Sequence, residues 1–412
     1  VLAALVVLGV NLNGGSNGDA AAMMAACAFG VLALVAIVGI NLRRVAWRRP
    51  SVIAAVAMFG ALLVIQAGRT VYFYGQSGAP RAGFDVSGQF LGTIRLASVG
   101  LAFIVGMLFA MRHERARKLI KACAWVFGAI ALIALFNTDR VVGRLAFPFG
   151  SPNSAATFFG VGLLLNVSLT LKRGHAFVRG ATLLPVAVYM ASVVSAAMCT
   201  AALVLTKSRA GLSAVGAALV LNVVWEIWTS LAQSGRKRSV ILPVLVGLLL
   251  LGGGQALAAR FASYPEDASL RWIIVNTHWN AVQSAPLFGN GLGSFDQINK
   301  QSMTMSNFYA LWQIRAAHNF IVQWLEQAGI VGTLLMFGST ALVLLRVAIG
   351  AVSGRFHRTW IRALVCASAL IVLHGFVDFG LEEPSIALTW ALLLGIGVGL
   401  STLKDERRRL AR

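Results

Sequence analysis

Long apolar runs, broken by short polar segments, make up nearly the whole of this chain. Runs long enough to cross a bilayer as helices fall at about 21–41, 51–66, 89–110, 119–136, 153–171, 181–205, 210–231, 239–258, 328–348, 359–376 and 385–402. A hydrocarbon core of about 30 Å takes roughly 20 helical residues. Residues 1–12 would rise only about 18 Å. They read as the remainder of a first span, not a signal peptide, because no small-residue cleavage site follows them. The chain opens on Val1, so further residues are expected upstream. The pattern predicts an all-α integral membrane protein, one polytopic domain over 1–412 with about twelve transmembrane helices. A long loop with short helices, 259–317, is expected between spans nine and ten.

The connecting segments alternate in character. One set is basic, at 43–49, 112–118, 172–179, 236–238, 355–362 and 404–412. The other holds most of the acids: Asp19, Asp85, Asp139, Glu266, Asp267, Asp296, Glu326, Asp378, Glu382 and Glu383. Basic loops stay on the cytoplasmic side. Both termini are therefore expected in the cytoplasm, with 259–317 on the outer face.

Composition agrees. Only 12% of residues are charged, about half the roughly 25% of a soluble chain. The net charge of +21 lies in short clusters between apolar runs, which suits anionic headgroups and argues against nucleic acid. Cys27, Cys123, Cys199 and Cys366 all lie in apolar runs, so neither disulfides nor a zinc site is expected. Phosphate-loop, nucleophile-elbow and His-Glu-x-x-His motifs are missing. No cofactor is expected, and no metal, since no carboxylate pair has ligand spacing.

The chemistry-bearing residues collect on the outer side. His113, His175 and His357 fall in basic loops as solvated charge, whereas His278, His318 and His374 fall at the outer face. His318 is expected to open a helix that carries Glu326, about 12 Å further along and about 80° around it. The pair would share a broad face without touching. Its plainer reading is a helix-end residue bonded to a headgroup or a carbonyl. Lys207-Ser208-Arg209-Ala210-Gly211 lies between two apolar runs with almost no loop. Arg209 there is either an interfacial anchor or an anion clamp, since a guanidinium offers two parallel donors to phosphate oxygens. Arg271 has the same two readings, on a stretch suited to the membrane surface. Phe288-Gly-Asn-Gly-Leu-Gly-Ser-Phe295 lets backbone approach a ligand or another helix. Pro152-Asn153 reads as a helix cap. His374 and Asp378, four apart, are placed to pair locally.

Taken together, Ser208-Arg209-Ala210-Gly211, Arg271 before the Gly-rich turn, and His318-Asn319 with Glu326 and Gly329 resemble the O-antigen ligase/polymerase superfamily. The resemblance is densest over 200–345, weaker at His374–Asp378, and extends upstream to Pro152-Asn153. Such proteins are glycosyltransferases of the bacterial inner membrane that move a glycan from undecaprenyl diphosphate to an acceptor at the periplasmic face. The resemblance implies that Arg209 and Arg271 hold the diphosphate and that His318 activates the acceptor hydroxyl. Arg315 is expected one helical turn before His318 as a third clamp, with Ser208, Asn319, Glu326 and Asn153 in support.

The chemistry fits such a transfer. A diphosphate-linked anomeric carbon is already activated, so its leaving group needs charge compensation, which arginines supply. An imidazole can take the acceptor's proton. The expected partners are an undecaprenyl-diphosphate-linked glycan, a lipid A–core or glycan acceptor, and membrane lipids. A ligase is the first expectation, a repeat-unit polymerase with the same donor the second. A transporter or flippase is the alternative from another class, but it needs a site near the midplane. A non-enzymatic scaffold would leave Arg209, Arg271 and His318 without a common place.

Overall fold

The computed structural model describes residues 27–33, 35, 49–75, 85–137, 140–178, 183–234, 264–312, 314–353 and 357–403. The predicted spans at 1–12 and 239–258, most of that at 21–41, Asp19 and Asp139, and the basic segments at 236–238 and 404–412 lie outside them. The helices are α1 (Pro50–Tyr74), α2 (Val86–Phe109), α3 (His113–Phe136), α4 (Pro152–Val178), α5 (Leu183–Leu205), α6 (Arg209–Ser234), α7 (Tyr264–Ser284), α8 (Phe295–Ser302), α9 (Phe308–Leu311), α10 (Phe320–Ser353), α11 (Arg358–Gly375) and α12 (Pro384–Thr402). A small antiparallel hairpin, β1 (Arg140–Val141) with β2 (Arg144–Leu145), links α3 to α4. Eight of the described helices are long and apolar enough to cross a membrane, and each falls on one of the predicted runs. The protein is an all-α membrane protein.

Prolines set three of the helix starts. Pro50, Pro152 and Pro384 each occupy the first helical position, where the missing N–H costs nothing and φ is already helical. Ser151 caps α4, its Oγ accepting the N–H groups of Asn153 at 3.2 Å and Ser154 at 3.5 Å. That helix is the centre of the bundle. Residues 154–171 are all buried, and α3, α5, α6 and α11 pack around them. Their polar side chains, Ser154, Thr157, Asn166, Ser168 and Thr170, are all buried, which suits a helix shielded from lipid by its neighbours.

On the flank, α2 and α12 approach closely enough that a Cβ at Gly395 would stand 2.1 Å from the Phe103 carbonyl oxygen. Small residues at such crossings let helix backbones touch in a membrane. Between α1 and α12, α10 is interrupted at Gly329, where φ is 66° and ψ −173°.

The two ends of the bundle differ. One gathers the β-hairpin, the α5–α6 turn, the α7–α9 layer and the α11–α12 turn. At the other, His113 Nδ1 lies 2.9 Å from His357 Nε2, and His357 stacks on Trp360 with ring centres 4.8 Å apart. These two histidines are half-buried partners, not the solvated charges expected from their basic loops. The segment expected as a long loop is also more regular than foreseen. Its described part is largely helical, and α7 packs along α10 instead of standing apart from the bundle.

Candidate active site

His318 stands just before α10, not inside it. Asn319 is the capping residue: its Oδ1 accepts the N–H groups of Ile321 at 3.0 Å and Val322 at 3.2 Å, while its Nδ2 donates to Phe376 O at 3.2 Å. His318 therefore has a left-handed backbone, φ 54°, which is uncommon outside glycine and clusters at functional sites. The expected helical turn between Arg315 and His318 is absent, because residues 314–319 are irregular. The helical-wheel relation of His318 to Glu326 does not apply either. A side-chain cap at position 319 forces the chain to leave the helix axis there.

The partner of His318 is Asp378. His318 Nδ1 lies 3.5 Å from Asp378 Oδ1, the carboxylate is fully buried, and the imidazole is 19% exposed. His318 also meets the Phe379 ring edge-on at 5.0 Å. On the other side, His374 Nε2 is 3.8 Å from Asp378 Oδ2, so the local pair read from the sequence is present within a larger unit. His374 Nδ1 in turn lies 2.6 Å from Thr157 Oγ1 on α4. Burial pushes Asp378 up, but the hydrogen bond from His318, the neighbouring imidazoles and the Phe379 N–H outweigh it and hold the carboxyl below its ordinary range. An ionised Asp378 only accepts. The facing Nδ1 of His318 then carries the proton, which leaves Nε2 with its lone pair free to act as a base.

A second network joins this unit to the α5–α6 turn. Asn153 Oδ1 accepts from Ser208 Oγ at 2.8 Å and from Arg144 Nη2 at 3.0 Å, and Arg144 Nε also donates to Thr206 O at 2.9 Å. Thr157, which reaches His374, is one turn along α4 from Asn153. Arg209 follows Ser208 directly and is half-buried. Arg271 lies on the inward face of α7, in register with the buried Ile274, His278 and Val282, and within electrostatic reach of His374. The structure thus brings Asn153, Ser208, Arg209, Arg271, His318 and Asn319 to one end of the bundle.

Glu326 goes elsewhere. His278 Nδ1 lies 2.5 Å from Glu326 Oε2, both side chains are fully buried, and His278 stacks on Phe295 at 4.4 Å. This pair fastens α7 to α10. The Gly-rich turn does the same with backbone. Asn290 N–H donates to Glu326 O at 2.8 Å, and Gly291 N–H to Gln327 O at 2.9 Å. Ile330 and Val331 N–H donate back to Pro286 O at 2.8 Å and Leu287 O at 3.1 Å. A Cβ at Gly329 would stand 2.4 Å from the Leu287 carbonyl. Of the two uses foreseen for these glycines, contact with another helix is the one observed. Removing one partner of a buried pair strands the other. Glu326→Ala should therefore cost about 3–5 kcal/mol of stability, seen as a lower Tm of the purified protein, with Glu326→Gln losing less.

Beside this unit a groove of about 990 Å³ runs between α1, α2, α10 and α12. Its long walls are apolar, with Phe59, Leu63, Leu96, Leu344, Leu388 and Leu394 among them. Arg95, Arg315, Glu382 and Glu383 collect at its polar end, with Gln323, Gln327 and Asp296 nearby. Arg315 also reaches the turn before α4, its Nη1 standing 3.2 Å from the position of a Cβ on Gly150. Arg209 and Arg271 do not line the groove. Arg95 was overlooked in the sequence although its signal was there: a guanidinium inside the apolar run 89–110 is costly enough to mark function by default. Asp378 was seen only as a neighbour of His374, because nothing local links it to His318.

The geometry amounts to a carboxylate-oriented imidazole next to an amphipathic groove with Arg95 and Arg315 at its polar end. No curated protein matches the chain. Residues 194–337 match the family model described as O-antigen ligase, a family of glycosyltransferase-type enzymes acting on lipid-linked glycans and acceptors. Over those residues the chain is similar to the O-antigen ligase family, which supports the resemblance to the O-antigen ligase/polymerase superfamily drawn from the sequence.

Proposed function

We propose that this protein is an inverting, metal-independent glycosyltransferase of the bacterial inner membrane, with its active site open to the periplasm. It transfers a glycan from undecaprenyl diphosphate to an acceptor hydroxyl, as an O-antigen ligase acting on lipid A–core. The observation that carries this reading is the His318–Asp378 pair standing beside a groove shaped for an amphiphile, whose lining includes the neighbouring Arg315, Phe320 and Phe379. The polyprenyl tail takes the apolar walls. The diphosphate meets Arg315 at the groove end, with Arg209 and Arg271 on the neighbouring elements.

The displacement is a single step. The acceptor oxygen attacks the anomeric carbon while its proton passes to His318 Nε2. The bond from that carbon to the phosphate oxygen breaks, and undecaprenyl diphosphate leaves with the electron pair. The arginines offset the charge that develops on it. Asp378 stabilises the imidazolium as it forms, in the manner of other oriented histidine bases.

The test is transfer by the purified protein from a polyprenyl-diphosphate-linked glycan to lipid A–core. A lipid A–core conjugate supports the ligase. A longer lipid-linked glycan instead identifies a polymerase, and no transfer to either acceptor removes the reading. Arg209→Lys should weaken donor capture roughly tenfold or more, since a point charge does not replace a two-pronged donor. The measurement is the donor KM, and an unchanged value makes Arg209 an interfacial anchor.

A further inference from the structure

The polar end of the groove holds its own anions. Glu382 and Glu383 close the turn before α12 and line the cavity with Arg95 and Arg315. Glu383 lies within electrostatic reach of Arg315, Asp378, Glu382 and Arg95, and Glu382 within reach of Arg95 and Glu326. Asp296 of α8 adds another carboxylate to the lining. The nearby imidazoles, His318 and His374, face Asp378. From α12 nothing ionisable faces the pair, because Pro384–Thr402 carries no charged residue. Two carboxylates beside two guanidiniums in an apolar groove leave no place for a further dianion unless some negative charge is removed.

We infer that Glu382 and Glu383 are the resident counter-ions of Arg95 and Arg315, and that an entering diphosphate replaces them, so that donor capture is coupled to proton uptake by this acidic pair. The inference rests on the donor assigned above and adds Arg95, Glu382 and Glu383 to its capture. Burial, reinforced by the neighbouring carboxylates and partly offset by the arginines, pushes both glutamates up to about 7. They therefore exchange protons with neutral solution.

The sign follows from charge. The bound diphosphate draws off the arginines and sets like charge beside the carboxylates, so their affinity for protons rises further on binding. The donor then binds more tightly to the protonated pair. Its affinity falls as pH climbs above the range in which the free pair titrates, by up to about tenfold per pH unit for each proton taken up. A sugar-bearing diphosphate is a diester without a proton of its own to lose near neutrality, so the dependence belongs to the protein.

The experiment is direct binding of a synthetic polyprenyl diphosphoryl sugar to the full chain in detergent, from about pH 6 to about pH 9, a range spanning carboxylates raised to neutrality. The wild type should weaken with rising pH. Glu382→Gln/Glu383→Gln should bind tightly with a flat profile, and Arg95→Gln should bind weakly throughout. Binding by the wild type that is independent of pH overturns the inference and leaves the donor assignment standing. A double variant that keeps the wild-type slope does the same. No binding at any pH overturns both.

Discussion

His318→Ala is expected to lower turnover in the transfer assay by about 10²–10⁴-fold, the usual worth of a positioned general base, with little change in donor KM. The imidazole is the one partly exposed member of the Thr157–His374–Asp378–His318 chain, so it is the member a substrate hydroxyl can reach. Removing it leaves the arginines and the groove intact, which is why the loss should fall on kcat. The left-handed backbone at this position complicates alanine, which tolerates φ above zero poorly. Asparagine tolerates it better. His318→Asn should therefore keep the wild-type Tm and still lose the activity. Turnover near that of the wild type in the asparagine variant removes the base assignment.

Asp378→Asn is the second large effect, a fall in kcat of about 10²-fold or more. The side chain keeps its shape, so the buried site is not emptied. What changes is the proton. A carboxylate only accepts, whereas an amide that turns its NH₂ toward Nδ1 favours the wrong tautomer of His318. It also withdraws the negative charge that stabilises the imidazolium. The discriminating measurement is kcat against thermal stability. A merely structural Asp378 lowers Tm and leaves the kcat of the folded fraction unchanged, while an orienting Asp378 does the reverse.

The fold was largely legible before any coordinates. Hydropathy is carried by one helix at a time, so the runs at 89–110, 153–171 and 385–402 appear as α2, α4 and α12 with starts within a few residues of those expected. The proline starts are equally local. The site was legible only in part. His318, Asn319, Asn153 and Ser208 stand out because each interrupts an apolar run or caps a helix, and these are signals carried by neighbours in the chain. The partner of Glu326 was not legible: helix spacing only placed it clear of His318, and the residue it meets, His278, is 48 positions away.

The alternation of apolar runs and basic segments was enough, alone, to determine a helical membrane protein with its unusual residues collected between particular runs, because burial in a bilayer is demanded residue by residue. Which of those residues touch was decided by the packed bundle. Thr157 and His374 are 217 positions apart, and His318 finds Asp378 only because the cap at Asn319 and the turn after α11 are pressed together by the helices behind them. Such contacts depend on how helices cross, and crossing is set by side-chain shape along whole interfaces. The groove with Arg95, Arg315 and the two glutamates arises the same way, from the space that α1, α2, α10 and α12 leave between them.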